Sequence, residues 1–161
     1  MQLTRFTDYA MRIVLYLGVR GEDVASVAEI ADSYGISRNH LAKVAQKLAG
    51  NGIVEATRGR NGGLRLNKPP SEINLGQLVR TLEPDMQLVD CIGCLIAPVC
   101  GIPKPLAEAT NAFLKVLDGY SLNQLIAASP NIETYFPRPI EPVAKPRRSV
   151  KPKKQSGKVS E

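Results

Sequence analysis

The sequence predicts a mainly α-helical chain with one small β-hairpin: a winged helix-turn-helix followed by a long C-terminal dimerisation helix. Three observations predict it. Two apolar-periodic segments flank a three-residue turn containing Gly35, an Asn-Gly pair then joins two short strand-like runs, and helical periodicity returns over 105–118.

Phe6, Ala10, Ile13, Val14 and Leu17 recur at helical spacing, so the first helix is read over about 5–18, ending near Gly18. Ser26-Val-Ala-Glu29 has the form of a capping box and opens a helix over 27–34, with Gly35 suited to the left-handed position that ends it. Ser37 is expected to cap the next helix, which turns Leu41, Val44, Ala45 and Leu48 inward. Residues 53–57 and 64–67 read as strands joined by Arg58-Gly-Arg-Asn-Gly-Gly63, where Asn61-Gly62 would supply positive φ angles. That hairpin is the expected wing.

After Pro69-Pro70, Asn74-Leu-Gly-Gln77 offers a second capping box for a helix reaching Glu83, and Pro84 stops it. Residues 84–103 form a long irregular loop. Leu106, Ala109, Phe113 and Leu117 mark the long helix over 105–118, closed by Gly119, and Ser121-Leu-Asn-Gln124 opens a last helix to about Ala128. Six of the twelve prolines lie in 129–161 among Lys and Ser, which predicts a disordered basic tail. The chain thus divides into a DNA-binding unit (1–83), a cysteine loop (84–103), a dimerisation region (104–128) and a tail (129–161).

The net charge of +6 is unevenly distributed. Residues 129–161 hold eight Lys/Arg against three Asp/Glu, whereas 1–128 hold thirteen against twelve. Within the body, Arg38, Lys43, Lys47, Arg58, Arg60, Arg65 and Lys68 face one acid, Glu55, over 37–68. A local basic patch of that kind suits a phosphate-contacting surface. No apolar run approaches the roughly 18 residues of a membrane span, and the opening residues lack the apolar core of a secretory signal, so a cytoplasmic protein is expected.

In a helix-turn-helix, the first residues of the second helix meet base edges in the major groove. Here these are Ser37, Arg38, Asn39 and His40, with Lys43 one turn on, while Arg58, Arg60, Asn61, Gly62 and Gly63 form the wing tip. Arg pairs with guanine and Asn with adenine, and a helix-end hydroxyl or amide takes a phosphate. His40, the only histidine, lies among these groups and far in sequence from the cysteines, so it reads as a DNA contact rather than a metal ligand. No phosphate-cradling glycine loop and no Ser/His/acid or Cys/His arrangement is present, and no enzymatic activity is expected.

All three cysteines fall in Cys91-Ile-Gly-Cys94-Leu-Ile-Ala-Pro-Val-Cys100. Packing does not require that clustering; thiolate chemistry does. Zinc wants a fourth protein ligand that the loop lacks. An iron–sulfur cluster tolerates the shortage and gains an exposed iron, and a metal-free thiol switch pairing Cys91 with Cys94 is the third reading.

The opening Met1-Gln-Leu-Thr-Arg-Phe-Thr-Asp-Tyr-Ala10, the stretch Tyr34-Gly-Ile-Ser-Arg-Asn-His-Leu41 and Arg58-Gly-Arg-Asn-Gly-Gly-Leu-Arg-Leu66 resemble the IscR/NsrR/RirA family of winged-helix iron–sulfur regulators. Leu82-Glu-Pro84, the cysteine loop and Phe113-Leu-Lys-Val-Leu-Asp-Gly-Tyr120 carry the likeness to about residue 128, nearest to the nitric-oxide-sensing branch. The resemblance implies a homodimer that binds a palindromic operator on double-stranded DNA and carries one cluster per subunit. It implies Cys91, Cys94 and Cys100 as ligands, with Asp8 as a fourth supplied across the dimer. The cluster expected is 4Fe–4S, with 2Fe–2S as the alternative. Relatives usually separate the first two cysteines by more than the two residues found here, which bears on cluster type. An iron-responsive regulator of the RirA kind is the neighbouring alternative. The histidine that the IscR type carries after the third cysteine is missing.

Overall fold

The computed structural model describes residues 2–57, 59, 62–83 and 85–136. Six helices are described: α1 (Arg5–Arg20), α2 (Val27–Tyr34), α3 (Arg38–Gly50), α4 (Leu75–Leu82), α5 (Pro103–Asp118) and α6 (Leu122–Ala127). Two strands, β1 (Val54–Thr57) and β2 (Gly63–Leu66), pair antiparallel with Val54 opposite Leu66. Among the described residues no helix is long and apolar enough to cross a membrane.

Helices α1, α2 and α3 meet through Ile13, Tyr16, Leu17, Ile30, Leu41, Val44 and Leu48, all essentially without solvent contact. Each such apolar side chain contributes roughly 1.5–3 kcal/mol on burial, so this cluster is what orients the helix-turn-helix. The turn itself follows from Gly35 at φ 64, which lets the Ile36 amide donate to the Ala31 carbonyl at 2.9 Å. Ala25 exchanges two backbone bonds with Leu64, at 3.0 and 2.8 Å, and so adds a bridge to the hairpin. A Cβ on Gly63 would lie 2.9 Å from the Ala25 carbonyl oxygen; the wing packs this closely only because that residue is glycine.

Several expectations need correction. Helix α1 does not end at Gly18 but runs to Arg20. Gly18 serves packing instead: a Cβ there would sit 2.7 Å from Ile126 and 3.2 Å from Leu122, so it gives α6 room against α1. Ser37 occupies the N-cap of α3 yet makes no capping bond, and its side chain is left exposed. The capping box at α2 is half made, because the Glu29 carboxylate faces Tyr16 and Arg20 rather than the Ser26 amide. At the wing, Gly62 is not among the described positive-φ residues but Gly59 is, at 115, and the Gly62 amide closes the turn onto the Gly59 carbonyl at 3.0 Å; Asn61 lies outside the described residues. Gly119 ends α5 with a right-handed φ of −75.

The four residues that mark the long helix do not share one environment. Thr110 and Leu114 are its buried residues, while Leu106, Phe113 and Leu117 are half-buried and Ala109 is exposed. Outward stand Pro105, Ala109, Ala112 and Val116, spaced at i, i+4, i+7 and i+11. Helix α5 is seated on α4 at Gly76, beside Asp118, and Arg80 pairs with the Asp118 carboxylate at 2.9 Å. That pair lowers the Asp118 pKa and raises that of Arg80.

Structure persists past the expected start of the tail. Ile132–Tyr135 form a 3-10 turn, and Phe136 packs on the core between Tyr16 and Tyr34, with ring centroids 4.7 and 5.7 Å away. Prolines and charge suggested disorder from 129 on, but one aromatic side chain with a waiting aromatic pair holds the chain through 136. The remainder of the expected tail, 137–161, lies outside the described residues.

Candidate functional site

Helix α3 is amphipathic: its inward residues are buried, and Arg38, Asn39, His40 and Lys43 are all exposed on the other side. Gln46, seven residues after Asn39 and exposed on the same face, completes a polar stripe that its i+7 spacing could have revealed. Arg38 is held by Asp32 of α2 in a forked contact, Nη2 to Oδ2 at 2.8 Å and Nε to Oδ1 at 3.3 Å. Both side chains are more than 60% exposed, so the pair orients the guanidinium more than it stabilises the fold. At the wing, Gly62 and Gly63 are half-buried, and Gly63 lies against Ala25. Arg58, Arg60 and Asn61 lie outside the described residues.

The cysteine loop is shaped by local backbone bonds rather than by a core. Asp90 accepts from the Ile92 amide at 2.9 Å, Gly93 adopts φ 74, and the Cys94 amide donates to the Cys91 carbonyl at 3.3 Å. A short 3-10 turn, Ala97–Val99, then leads to Cys100. All three thiols are free, Cys94 exposed and the other two half-buried. The loop's apolar residues are turned outward: Ile92 is 94% exposed, Leu95 96% and Val99 85%. Between residues 85–89 and α5 lies a cavity of about 640 Å³, lined in part by Cys91, Ala97 and Leu106.

Asp8 lies in the first turn of α1 and engages Arg12 at 2.9 Å. It is not grouped with the thiols: among the described residues no set of three or more His, Cys, Asp or Glu forms a metal cluster. The donor set still suits a soft inorganic group. Three free thiols share one loop that no core residue occupies, and the open fourth position has no candidate Cys or His within the loop.

Sequence reasoning missed Glu83, the residue at the root of this loop. Its Oε1 accepts from the Thr4 amide at 2.7 Å and the Thr4 hydroxyl at 2.8 Å, and Thr4 in turn caps α1 through Thr7. The loop is thus tied to the start of the helix that carries Asp8. Burial pushes the Glu83 carboxyl up, but hydrogen bonds from Thr7 and Thr4 outweigh it and hold the carboxyl below its ordinary 4.5. A depressed carboxyl stabilises the fold fully above that ordinary value and loses the contribution as pH falls through the depressed one. Glu83→Gln is therefore expected to cost about 1–3 kcal/mol near neutrality, and the deficit should shrink as pH falls below that ordinary value. Urea titrations of parent and variant at pH 7 and pH 3.5 check this; an equal deficit at both would contradict it.

A polar helix presented by a helix-turn-helix, a short wing and a thiol-bearing loop define a DNA-binding transcriptional regulator of the winged-helix class. The chain belongs to the Rrf2 family, described as iron-dependent transcriptional regulators, whose pattern matches residues 3–128. It is 43% identical over 132 residues to the HTH-type transcriptional regulator NsrR of Bacillus licheniformis, covering 78% of this chain and 92% of that one. The NsrR of Halalkalibacterium halodurans is 44% identical, again over 78% of this chain and 90% of its own. The structure of CymR, the global cysteine regulator of Bacillus subtilis, shares the fold with a TM-score of 0.66 at 24% identity, covering 80% of this chain and 98% of that one. The chain is thus an NsrR-like Rrf2 regulator, a repressor rather than an enzyme.

Proposed function

We propose that this chain acts in the cytoplasm as a homodimeric repressor whose grip on a palindromic operator is set by a 4Fe–4S cluster and released by nitric oxide. Cys91, Cys94 and Cys100 would hold the cluster, with Asp8 of the partner subunit as the fourth ligand. The observation that carries the reading is the cysteine loop: three free thiols and outward apolar residues on a segment with no fully buried residue among those described. When bound, such a cluster supplies iron that three thiolates and one displaceable oxygen ligand leave open to a small diatomic molecule.

The chain's own residues account for the rest. The Glu83–Thr4 bonds join the loop root to α1, so a change in loop position bears directly on the helix that packs beneath α3. The outward stripe of α5, with Val116 62% exposed, together with Tyr120 just beyond the helix, 47% exposed, is the surface offered to a second copy. Two α3 helices must stand about 34 Å apart to enter successive major grooves, so a small change at this dimer surface is enough to lose one of them. In the groove, Arg38, Asn39, His40, Lys43 and Gln46 face the bases, Ser37 offers a hydroxyl to a phosphate, and the wing tip meets the neighbouring backbone.

Native mass spectrometry of protein purified without oxygen, followed by nitric oxide titration of operator binding, tests the reading. Four irons and four sulfides per subunit, and affinity that falls on nitric oxide addition, are expected. Zinc, or no metal, or affinity indifferent to nitric oxide, would refute it. A further expectation concerns Asp32, whose carboxylate aims Arg38. Asp32→Asn should change folding stability by less than about 0.5 kcal/mol. It should nonetheless narrow the ratio of operator to mixed-sequence affinity by up to about tenfold, within the roughly 1–3 kcal/mol that one forked base contact carries. Anisotropy titrations on both duplexes would read that ratio, and an unchanged ratio would remove Arg38 from base reading.

A further inference from the structure

The cysteine loop runs through three consecutive turns. The Cys94 amide donates to the Cys91 carbonyl at 3.3 Å, the Ala97 amide to the Cys94 carbonyl at 3.1 Å, and the Cys100 amide to the Ala97 carbonyl at 3.4 Å. Cysteines therefore stand at both ends of the first turn and at only one end of each of the others. In the first turn Gly93 is third, at φ 74, and Ile92 is not among the described residues with positive φ. That is the pattern of a type II turn, which requires a residue tolerant of positive φ at its third place. A Cβ on Gly93 would meet nothing within 4 Å, so backbone conformation and not space favours glycine there. Such a turn holds its end Cα atoms within about 7 Å, and a disulfide bridges about 4.4–6.8 Å.

The three sulfurs also differ in access. Cys94 is exposed, whereas Cys91 and Cys100 are half-buried, and Cys91 lines the cavity against α5. Ile92 and Gly93 are both exposed, so the residues between the first two thiols have little packing that closure would disturb. Cys100 lies two further turns along the chain and shares no turn with either. An oxidant thus meets Cys94 first, and Cys91 is the thiol that the backbone holds beside it.

We infer that Cys91 and Cys94 of the metal-free chain are a redox modification site, which hydrogen peroxide closes into an intramolecular disulfide while Cys100 stays free. The Cys94 thiolate attacks one peroxide oxygen; an S–O bond forms, the O–O bond breaks and hydroxide leaves. The Cys91 thiolate then attacks the sulfenic sulfur; the S–S bond forms, the S–O bond breaks and a second hydroxide leaves. The two thiol protons turn both hydroxides into water, and the two electrons lost by the sulfurs reduce the peroxide. Gly93 is the positioning residue, because its positive φ keeps the two ends of the turn together. The site needs no cluster and is independent of the nitric oxide reading. One consequence does rest on that reading: a loop with one thiol left has too few soft donors to be reloaded with iron until a reductant reopens it.

The test treats full-length protein, stripped of metal and reduced, with hydrogen peroxide and counts thiols before and after. Free thiols should fall from three to one per chain, the monomer should lose the mass of two hydrogens, and alkylation should then label Cys100. A dithiol reductant should restore all three. Cys100→Ala should oxidise equally and keep no thiol, whereas Cys91→Ala should no longer close within one chain. Gly93→Ala should lower the equilibrium constant for closure roughly tenfold, about 30 mV in midpoint potential. Gly93→Asn should fall between it and the parent, because Asn tolerates positive φ. Three surviving thiols, or a label on Cys91 or Cys94 in place of Cys100, would overturn the inference. So would a midpoint equal to the parent's in Gly93→Ala, since the turn would then not be what pairs the thiols. Reduced protein that takes up no iron would instead refute the cluster reading and leave the thiol count as it stands.

Discussion

Cys100→Ala is expected to strip iron from protein purified without oxygen and to weaken operator binding by roughly 30- to 150-fold, the span of a coupling of about 2–3 kcal/mol. Cys100 closes the Ala97–Val99 turn two residues short of the N-cap of α5, so it is the thiol next in sequence to the helix proposed to meet a second copy. Losing one of three thiolates leaves too few soft donors on the loop to hold an iron–sulfur group. The same substitution should leave the melting of metal-free protein almost unchanged, because no fully buried residue is found among the described residues between 84 and 103. That contrast, a large loss in binding with little in stability, separates a ligand from a packing residue. Iron content and operator anisotropy on the same preparation measure it. Retention of iron with full affinity would remove Cys100 from the ligand set.

Glu29→Ala is expected to be the most destabilising single change in the helix-turn-helix, by about 3–5 kcal/mol. The Glu29 carboxylate accepts from Tyr16 at 2.9 Å and from Arg20 at 2.6 Å, where the Arg20 side chain is only 9% exposed. Arg20 already has a buried Nε without a partner, so losing the carboxylate would strand a charge that little water can reach. Burial first, and then the bond to Glu29, raise the Tyr16 phenol pKa and keep it a donor, so removing Glu29 also orphans that hydroxyl. Urea unfolding should show a midpoint far below the parent, with the melting temperature lower by roughly 10 °C or more. Glu29→Gln, which keeps an acceptor for Tyr16, should fall between the two. A loss under about 1 kcal/mol for the alanine variant would mean that water reaches Arg20 and that the pair is a surface one.

The consequence of Glu29 for function runs through geometry. Tyr16 and Tyr34 receive Phe136, and α2 carries Asp32, which aims Arg38. A loosened α2 therefore disturbs α3, the helix proposed to read DNA. That effect should appear in DNA binding only as far as the helix-turn-helix itself has melted, which distinguishes Glu29 from residues proposed to touch DNA.

Local pattern carried most of the element order. Apolar spacing marked α1 and α3, and capping and stop signals marked α2 and α4, each within a few residues; Ser121-Leu-Asn-Gln124 formed the full reciprocal box at α6. Two positions broke the local rules. Glu29 has the spacing of a capping partner, yet the buried Arg20 and the Tyr16 hydroxyl on α1 have a stronger claim on its carboxylate than a solvated helix-end amide does. Gly18 looks like a stop signal, yet α6 needs the space that a Cβ would take. In both, a neighbour on another helix overrode a local rule.

By itself, the sequence determined the class of fold, the polar stripe on α3 and the clustering of three thiols on one loop, because these depend on spacing and residue type along a single segment. Only the tertiary structure decided which face of α5 is free, that Glu83 ties the loop root to α1, and that Phe136 returns to the helix-turn-helix. Those facts depend on which distant segments compete for the same buried surface and the same hydrogen bonds, and the outcome of that competition is not written in any local period.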